Sequence, residues 1–449
     1  MKILVVGGGG REHALCWKLG QSAGSPTIYC APGNAGTATV ATNVKMPADD
    51  IDGLLSFAKE TRIDLTVVGP EDPLCGGIVD RFVEAGLRIF GPTAAAARLE
   101  GDKAYAKKLM RECGVPTAEA RVFGPTEQEL AYRKQPGRER DESFPDSFKR
   151  GYELACDYVE SRDSGLVVKA SGLAKGKGVF VHQDPKDALA TLKSLMVDLE
   201  LGEAGERVVI EELLTGPEVS VMTLVDGRNI YVLESASDHK RLGERDTGPN
   251  TGGMGAYSPS DTLTEEVLEV VVRDIFVPIV DWLHREGVVY RGVLYAGLML
   301  TAGGPKTLEF NCRFGDPEAQ PVLARMQSDL VDALEATIDG TLDQIEIQWD
   351  RRSAVCVVMA SHGYPKEFES GKQIVGLEQA SDLDSVHVFH AGTAIRDEDV
   401  VTAGGRVLGV TGLGDTLERA RSRAYEATKL IQFDGAYLRG DIAMRISDK

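Results

Sequence analysis

The ten residues from Glu309 to Glu318 read EFNCRFGDPE, and they follow an apolar segment (Val293 to Leu300) and a glycine turn. This order predicts a β-hairpin whose second strand carries the start of the stretch. Side chains alternate between the faces of a strand, so Glu309, Asn311 and Arg313 project to one side over roughly 13 Å of chain. Oxygen ligands of this type suit Mg²⁺, and a neighbouring guanidinium suits a transferring phosphoryl group. The alternative interpretation is a strand with a solvated polar face.

Length and composition indicate a multidomain globular protein. The chain has 449 residues, enough for about three domains, with 43% hydrophobic and 27% charged residues. Its formal net charge of −19 disfavours nucleic acid as a partner, because binding to a phosphate backbone needs basic surface. No run of 18 or more apolar residues occurs, so we expect no membrane-spanning helix. The start, Met1–Gly7, is typical of a first β-strand rather than of a signal peptide.

The seven cysteines are scattered, and no two of them form a C-x-x-C pair. An odd number without such pairs disfavours both a disulfide framework and structural zinc. We therefore expect a protein of the reducing cytoplasm.

The pattern along the chain predicts α/β and α+β domains in succession. Residues 1–101 alternate short apolar strands with helical segments, which predicts a Rossmann-like domain with a parallel sheet and ligands beyond the carboxyl ends of its strands. Residues 102–335 form the expected central domain, with a lid subdomain at about 120–200 and an extended segment near 135–164. Residues 336–449 form a smaller third domain.

Four local expectations follow from the same pattern. We expect a helix over Leu74–Ala85 and an exposed loop from Gln135 to about Lys149. A hairpin is expected to join Glu218–Val225 to Asn229–Leu233, and a long helix to run from about Thr264 to Arg285.

The first glycine loop, Gly7–Gly10, lies between a predicted strand and a predicted helix. Such a loop next to a helix N-terminus favours an anion. The dinucleotide fingerprint G-x-G-x-x-G is incomplete, because Glu12 stands at its third glycine and no acidic residue ends the second strand at Tyr29–Pro32. NAD is thus disfavoured. The loop favours the phosphate of a smaller sugar, with a purely structural turn as the alternative.

The second glycine loop, Lys169–Val179, lies between two predicted strands and so is not a Walker A loop. A Gly/Lys hairpin of this kind can close over polyphosphate, and Lys169 at a strand end can reach inward. A solvated hairpin tip is the alternative. The strand Val208–Glu212 ends in acids that suit an adenosine pocket, although a solvated strand end explains them equally well.

A third polar, glycine-dense region covers Asp238–Arg241 and Asp246–Tyr257. Long loops of this kind are usually functional or disordered, and its positive charge and backbone donors suit an acidic substrate. The sequence shows no Ser/His/Asp order and no metal-binding histidine cluster.

Taken together, these runs closely resemble the glycinamide ribonucleotide synthetase (phosphoribosylamine–glycine ligase) family of the ATP-grasp superfamily, over nearly the whole chain. The shared motifs are Gly9–His13, Ala31–Thr37, Gly69–Glu71, Lys169–Gly178, Asp238–Arg241, Asn250–Tyr257 and Glu309–Glu318. The last two motifs are very specific for the family, whereas the glycine loops alone are not. The resemblance implies an N-terminal pre-ATP-grasp domain, a central ATP-grasp domain and a small C-terminal domain.

The resemblance also implies an activity: ligation of glycine to 5-phosphoribosylamine with ATP as co-substrate, through a glycyl phosphate, in the second step of de novo purine biosynthesis. It implies Mg²⁺ or Mn²⁺ at Glu309 and Asn311, and catalytic roles for Arg313, Lys240 and Asn311. The implied ATP-binding residues are Lys103, Lys169, Lys175, Gly176, Lys177, Gly178, Glu211, Glu212 and Glu218. The implied substrate-binding residues are Gly9, Gly10, Arg11, Glu12, His13, Asn34, Gly36, Thr37, Asn250, Gly252, Gly253 and Asp316.

Three regions depart from the family pattern. Gly8 stands where Asn is common, Ser171 and Lys175 replace the usual Asp and Ala, and the segment 135–164 is longer than the family norm. We expect small-molecule substrates only, without nucleic acid or membrane, and a monomer, with a dimer as the alternative. The end at Lys449 fits a free-standing ligase rather than part of a fused enzyme.

Three other functions compete with this interpretation. Another ATP-grasp carboxylate–amine ligase or carboxylase is the nearest. A Rossmann-type oxidoreductase is disfavoured by the incomplete dinucleotide fingerprint, and a non-catalytic nucleotide sensor by the intact Glu309, Asn311 and Arg313.

Overall fold

A computed structural model describes residues 1–133, 145–174 and 176–444 of the chain. These residues form four sheets of at least four strands and two two-stranded ribbons. None of the helices in these described ranges is long and apolar enough to cross a membrane.

The N-terminal domain is built on a parallel five-stranded sheet of order β3-β2-β1-β4-β5, as the sequence predicts. Strand β1 is buried on both faces: Ile3 and Val5 pack into one hydrophobic core, and Leu4 and Val6 into another. The elements are β1 (Lys2–Gly7), α1 (Gly10–Leu19), β2 (Thr27–Pro32), α2 (Thr37–Val40), β3 (Thr42–Asn43), α3 (Ile51–Thr61), β4 (Leu65–Val68), α4 (Glu71–Cys75), α5 (Ile78–Glu84), β5 (Ile89–Phe90) and α6 (Ala94–Gly101).

The single helix predicted over Leu74–Ala85 is wrong. The chain forms α4 and α5 instead, separated at Gly76 and Gly77. Gly77 has a φ of +84°, a left-handed conformation that ends a regular helix and that glycine adopts without steric cost.

The lid region contains an antiparallel sheet of order β6-β9-β7-β8, covered by two helices. The predicted loop from Gln135 to Lys149 is wrong over residues 145–149, which begin a helix, and residues 134–144 lie outside the described ranges. The elements are α7 (Lys103–Glu112), β6 (Ala120–Phe123), α8 (Glu127–Arg133), α9 (Pro145–Glu160), β7 (Leu166–Ala170), β8 (Val179–His182), α10 (Ala188–Met196) and β9 (Val208–Glu212).

A second antiparallel sheet, of order β11-β10-β16-β17, carries the first residues of the Glu309–Glu318 stretch on β17. Both predicted hairpins are confirmed, and the long helix is present, with a π-helical segment at Val272–Phe276 between its two α-helical parts. The elements are β10 (Glu218–Asp226), β11 (Ile230–Val232), β12 (Ser237–Asp238), β13 (Arg241–Gly243), β14 (Thr247–Asn250), β15 (Gly255–Ser258), α11 (Glu265–Val271), α12 (Val277–Arg285), β16 (Arg291–Thr301), β17 (Gly304–Asn311), α13 (Ala319–Arg325) and α14 (Leu330–Asp339).

The C-terminal sheet has the order β12-β15-β18-β22-β19, with β23 also paired to β18. Two of its strands, β12 and β15, precede residue 336, so the sheet joins the central region to the C-terminal one through main-chain hydrogen bonds. The remaining elements are β18 (Ser353–Ser361), α15 (Leu377–Ser381), β19 (Val386–His390), β20 (Thr393–Arg396), β21 (Asp399–Thr402), β22 (Arg406–Gly414), α16 (Leu417–Leu430) and β23 (Ala436–Tyr437).

Candidate active site

A cavity of about 1270 Å³ lies where the three regions meet. Its wall includes Arg11 from the N-terminal domain, Lys169 from the lid, Glu309 from β17 and Arg406 from the C-terminal domain. The volume is large enough for several small molecules at once, since typical ligand pockets measure about 300–1,000 Å³.

Strand β17 supplies one wall of the cavity. Glu309 and Asn311 line it together with Arg313, whereas Phe310 and Cys312 are buried in the hydrophobic core, with Phe310 also bordering the cavity. The predicted alternation of faces is confirmed. The register pairs Glu309 with Gly297 of β16, and a glycine there leaves space beside the Glu309 side chain.

The charges around Glu309 fit a metal ligand. Burial by itself raises its pKa, but Lys240, Lys169 and Lys103 outweigh this effect and hold the pKa below its ordinary value. Glu309 is therefore an ionised carboxylate beside an amide oxygen, a donor set that suits Mg²⁺. No group of three or more His, Cys, Asp or Glu in the described ranges could hold a metal by itself. A site with two protein oxygens would thus need phosphate oxygens to complete it.

The Arg313 guanidinium is held between two carboxylates. Its Nε donates to Glu71 at 3.1 Å, and its Nη2 lies 2.8 Å from Glu100 Oε1. Burial by itself raises the pKa of Glu71, but the Arg313 and Arg11 charges lower it to about 2. The guanidinium is thereby fixed in orientation at the cavity wall, although sequence reasoning had not identified Glu100.

A second group of cations faces the cavity around Glu211. Lys169 Nζ lies 3.0 Å from Glu211 Oε2, and Lys107 Nζ lies 3.1 Å from Oε1. Burial lowers the pKa of Lys107 to about 8, and burial also lowers that of Lys103. Glu212 also lines the cavity, where it pairs with Lys306 at 2.9 Å. In this structure Glu211 and Glu212 are therefore counter-ions of lysines.

The loop between β7 and β8 covers the lysines. Gly176 and Gly178 line the cavity, and Gly176 has a φ of +75°. Lys177 is exposed, and Lys175 lies outside the described residues. Ser171, at a position where the family usually has Asp, donates to Asp102 at 2.8 Å and accepts the Ala104 N–H.

Lys240 lies between acidic side chains on another wall. Its Nζ is 2.7 Å from Glu218 Oε2 and 3.6 Å from Asp238 Oδ1. Burial raises the pKa of Asp238 to about 7 even though Lys240 opposes the shift, and the two carboxylates hold the pKa of Lys240 well above its usual range. Asp238 lines the cavity as well, but the sequence analysis assigned it no role.

Family models match three segments of the chain: the phosphoribosylglycinamide synthetase N domain at residues 1–100, its ATP-grasp (A) domain at 143–319 and its C domain at 354–445. The phosphoribosylamine–glycine ligase of Rhodopirellula baltica is 47% identical over 448 residues, which cover 98% of this chain and 97% of that protein.

The chain belongs to the phosphoribosylglycinamide synthetase family.

Solved structures agree with this assignment. The crystal structure of phosphoribosylamine–glycine ligase from Thermotoga maritima matches with a TM-score of 0.80 and 32% identity, over 98% of this chain and 100% of that one. The biotin carboxylase domain of the Hydrogenobacter thermophilus 2-oxoglutarate carboxylase matches with a TM-score of 0.69 at 15% identity, over 97% of this chain and 91% of that one. The second likeness shows a shared fold alone.

The Gly9–His13 motif of the family forms the N-cap and first turn of α1 in this member. Glu12 accepts from the Gly9 N–H at 2.6 Å and lies 2.6 Å from Arg11 Nε, filling the place of the missing third glycine. His13 Nδ1 accepts the His390 N–H at 2.8 Å, and burial lowers the pKa of His13 to about 3. Within the described part of the chain, Arg11 is the one residue from Gly9 to His13 that lines the cavity.

The Asn34 side chain ties the neighbouring loop to the same network. It accepts from the backbone N–H groups of Gly36 and Thr37 at 2.8 and 2.9 Å, and it donates to the carbonyls of Gly8 and His390 at 3.0 and 2.8 Å. A Cβ on Gly8 would lie 2.7 Å from the Gly33 carbonyl oxygen, so the Asn common in the family at that position would require a backbone shift. Asn34, Gly36 and Thr37, predicted as substrate-binding residues, do not line the cavity.

Among the other predicted substrate-binding residues, Asn250 and Gly252 of one loop and Asp316 of another line the cavity. Gly253 lies behind them with a φ of +107°, and a Cβ there would come within 2.4 Å of Pro317 Cδ. Arg406 could not be predicted from the local pattern, because it lies 90 residues beyond its partner Asp316.

Proposed function

We propose that this chain ligates glycine to 5-phosphoribosylamine with ATP as co-substrate. The products are glycinamide ribonucleotide, ADP and phosphate, and the reaction passes through glycyl phosphate in the second step of de novo purine biosynthesis. The observation that carries the proposal is one cavity in which Glu309, Asn311 and Arg313 share a wall with Lys103 and Lys169. Phosphoryl transfer depends mainly on positioning and electrostatics, so the reaction needs no protein nucleophile.

In the first step, a glycine carboxylate oxygen attacks the γ-phosphorus of ATP, and the bond to ADP breaks. Lys103 and Lys169 bind phosphate oxygens, and Arg313 meets the charge that develops on the transferring group. Glu309 and Asn311 would hold Mg²⁺, with Mn²⁺ as the alternative, and the metal would neutralise phosphate charge.

In the second step, the amine of phosphoribosylamine attacks the acyl carbon, and phosphate leaves. Lys240 and Asp316 shape the part of the cavity that receives this amine. The glycine loop at Lys175–Gly178 closes over the phosphates and keeps water from the acyl phosphate. We further propose that the enzyme works as a cytoplasmic monomer on small molecules.

The test measures ADP release with Mg-ATP, glycine and phosphoribosylamine generated in situ, omitting each substrate in turn. We expect release that depends on all three, together with the mass of glycinamide ribonucleotide in the product. ADP release that is indifferent to glycine would instead favour another ATP-grasp ligase. No release from folded protein would contradict an enzymatic function altogether.

A further inference from the structure

Arg406, the first residue of β22, reaches out of the C-terminal domain into the cavity wall. Its Nη2 donates to Asp316 Oδ2 at 2.8 Å, and its Nη1 donates both to the Asp316 carbonyl at 2.8 Å and to the Gly252 carbonyl. The side chain is 21% exposed. One planar guanidinium thus joins the loop at Gly252 to the loop at Asp316. The two loops are separate in sequence from each other and from β22.

The two loops that Arg406 joins also touch directly. The close approach of Gly253 to Pro317 leaves no space for a side chain between them. Tyr364, also from the C-terminal domain, accepts the Gly252 N–H at 2.9 Å. Because Gly252 and Asp316 both line the cavity, the spacing of the two loops sets the shape of that wall.

We propose that Arg406 is a positioning residue for the ligation, which holds Asp316 and the 250–253 loop in the geometry that receives the substrates other than ATP. This inference depends on the proposed function. Its hydrogen bonds go to the carboxylate and carbonyl of Asp316 and to the carbonyl of Gly252. We therefore expect its removal to affect these substrates more than MgATP.

The geometry calls for arginine in particular. A guanidinium presents several donors in one rigid plane, which matches a carboxylate oxygen and two carbonyls at once, whereas the ammonium of lysine is a compact point charge. Removal of the guanidinium would also leave the buried Asp316 carboxylate without its nearest cation. Arg406→Lys keeps the charge, so it separates the effect of geometry from that of charge.

The experiment compares Arg406→Lys, Arg406→Gln, Asp316→Asn and the double variant Arg406→Gln/Asp316→Asn in the full-length enzyme. Arg352→Gln is the matched control, because Arg352 pairs with Asp350 at 2.6 Å outside the cavity. For each variant we would measure kcat, the KM of all three substrates, MgATP affinity by calorimetry and the melting temperature.

We expect both Arg406 variants to lose about tenfold or more in kcat/KM for glycine and phosphoribosylamine. MgATP affinity should stay within about twofold of the wild-type value, and the control should match wild type. The double variant should be about as active as the weaker single variant, because residues that act through each other are not additive.

Four results would overturn the inference. Additive losses in the double variant would mean that Arg406 acts independently of Asp316. Near-wild-type kinetics in Arg406→Lys would refute a role for the planar arrangement of guanidinium donors. A lower melting temperature with unchanged kinetics in the Arg406 variants would show a purely structural role instead. A wild-type enzyme that binds MgATP but ligates nothing would refute the proposed function itself, and with it this inference, before any variant is compared.

Discussion

The exchange Glu100→Gln tests how the cavity holds its Arg313 guanidinium. Glu100 is 7% exposed, with Oε1 2.8 Å from Arg313 Nη2 and Oε2 accepting the Cys312 N–H at 2.7 Å. An amide keeps the volume but offers one acceptor where both neighbours are donors. The side-chain NH₂ group of the glutamine would therefore face a second donor, either the Arg313 guanidinium or the Cys312 N–H.

The expected loss of stability depends on the contacts that Arg313 keeps in the variant. Breaking a buried ion pair by removing one partner costs about 3–5 kcal/mol, and we expect about 3 kcal/mol, because Arg313 keeps its 3.1 Å contact with Glu71. The Arg313 guanidinium also loses its fixed orientation. A displacement of a positioning group by about 1 Å can lower the rate on the order of 100-fold. We therefore expect kcat to fall by about 10- to 100-fold, with little change in MgATP affinity.

Urea unfolding followed by tryptophan fluorescence gives the change in the free energy of unfolding, and steady-state ADP release gives kcat. Glu335→Gln is the control, since Glu335 lies 3.7 Å from Arg88 with both side chains about 40% exposed. Such surface pairs contribute about 0–1 kcal/mol. If Glu100→Gln proved as mild as the control in stability, or kept full kcat, the explanation of how Arg313 is oriented would be wrong.

Three further predictions concern the metal, acid stability and the substrate loop. Glu309→Ala should abolish Mg²⁺-dependent ADP release while leaving the circular dichroism spectrum unchanged; normal turnover would remove Glu309 from the metal site. Burial lowers the pKa of His390 from 6.5 to about 4. Below pH 6.5 the unfolded chain therefore binds the proton more readily than the folded chain, and stability decreases as the pH falls from about 6.5 to 4. His390→Gln should flatten that slope by up to about 1.4 kcal/mol per pH unit in denaturant titrations, and an unchanged slope would argue against this assignment. Gly253→Ala should lower kcat/KM at least about tenfold, because the new Cβ would collide with Pro317. The control is Gly287→Ala, since Gly287 also has a positive φ but open space around it. It should cost about 1 kcal/mol of stability and leave the kinetics unchanged.

The sequence predicted the β16–β17 hairpin and the faces of its side chains well because the information there is local. A two-residue period fixes which face of β17 each side chain occupies, and the glycine turn before it fixes where the hairpin reverses. The parallel N-terminal sheet was predictable for the same reason, since its strands are short continuous apolar runs. The break at Gly76 and Gly77 was missed because the apolar pattern continues across it.

The contacts that sequence reasoning missed are those made between distant segments. His13 and Asn34 bond the backbone of His390, which follows them by more than 350 residues. Neither side chain lines the cavity, so their predicted role in substrate binding stays a prediction. Glu100 was hidden for a similar reason: as the seventh residue of α6 it appears as an ordinary helical carboxylate until Arg313 is placed beside it.

These long-range contacts explain why the C–N ligation needs all three domains. Strand β17 and the turn after it present Glu309, Asn311 and Arg313, but the Arg313 guanidinium is oriented by Glu71 and Glu100 from the N-terminal domain. The turn that follows β17 is tied through Asp316 to the C-terminal domain. A change in the placement of either flanking domain would thus reach the reacting groups directly.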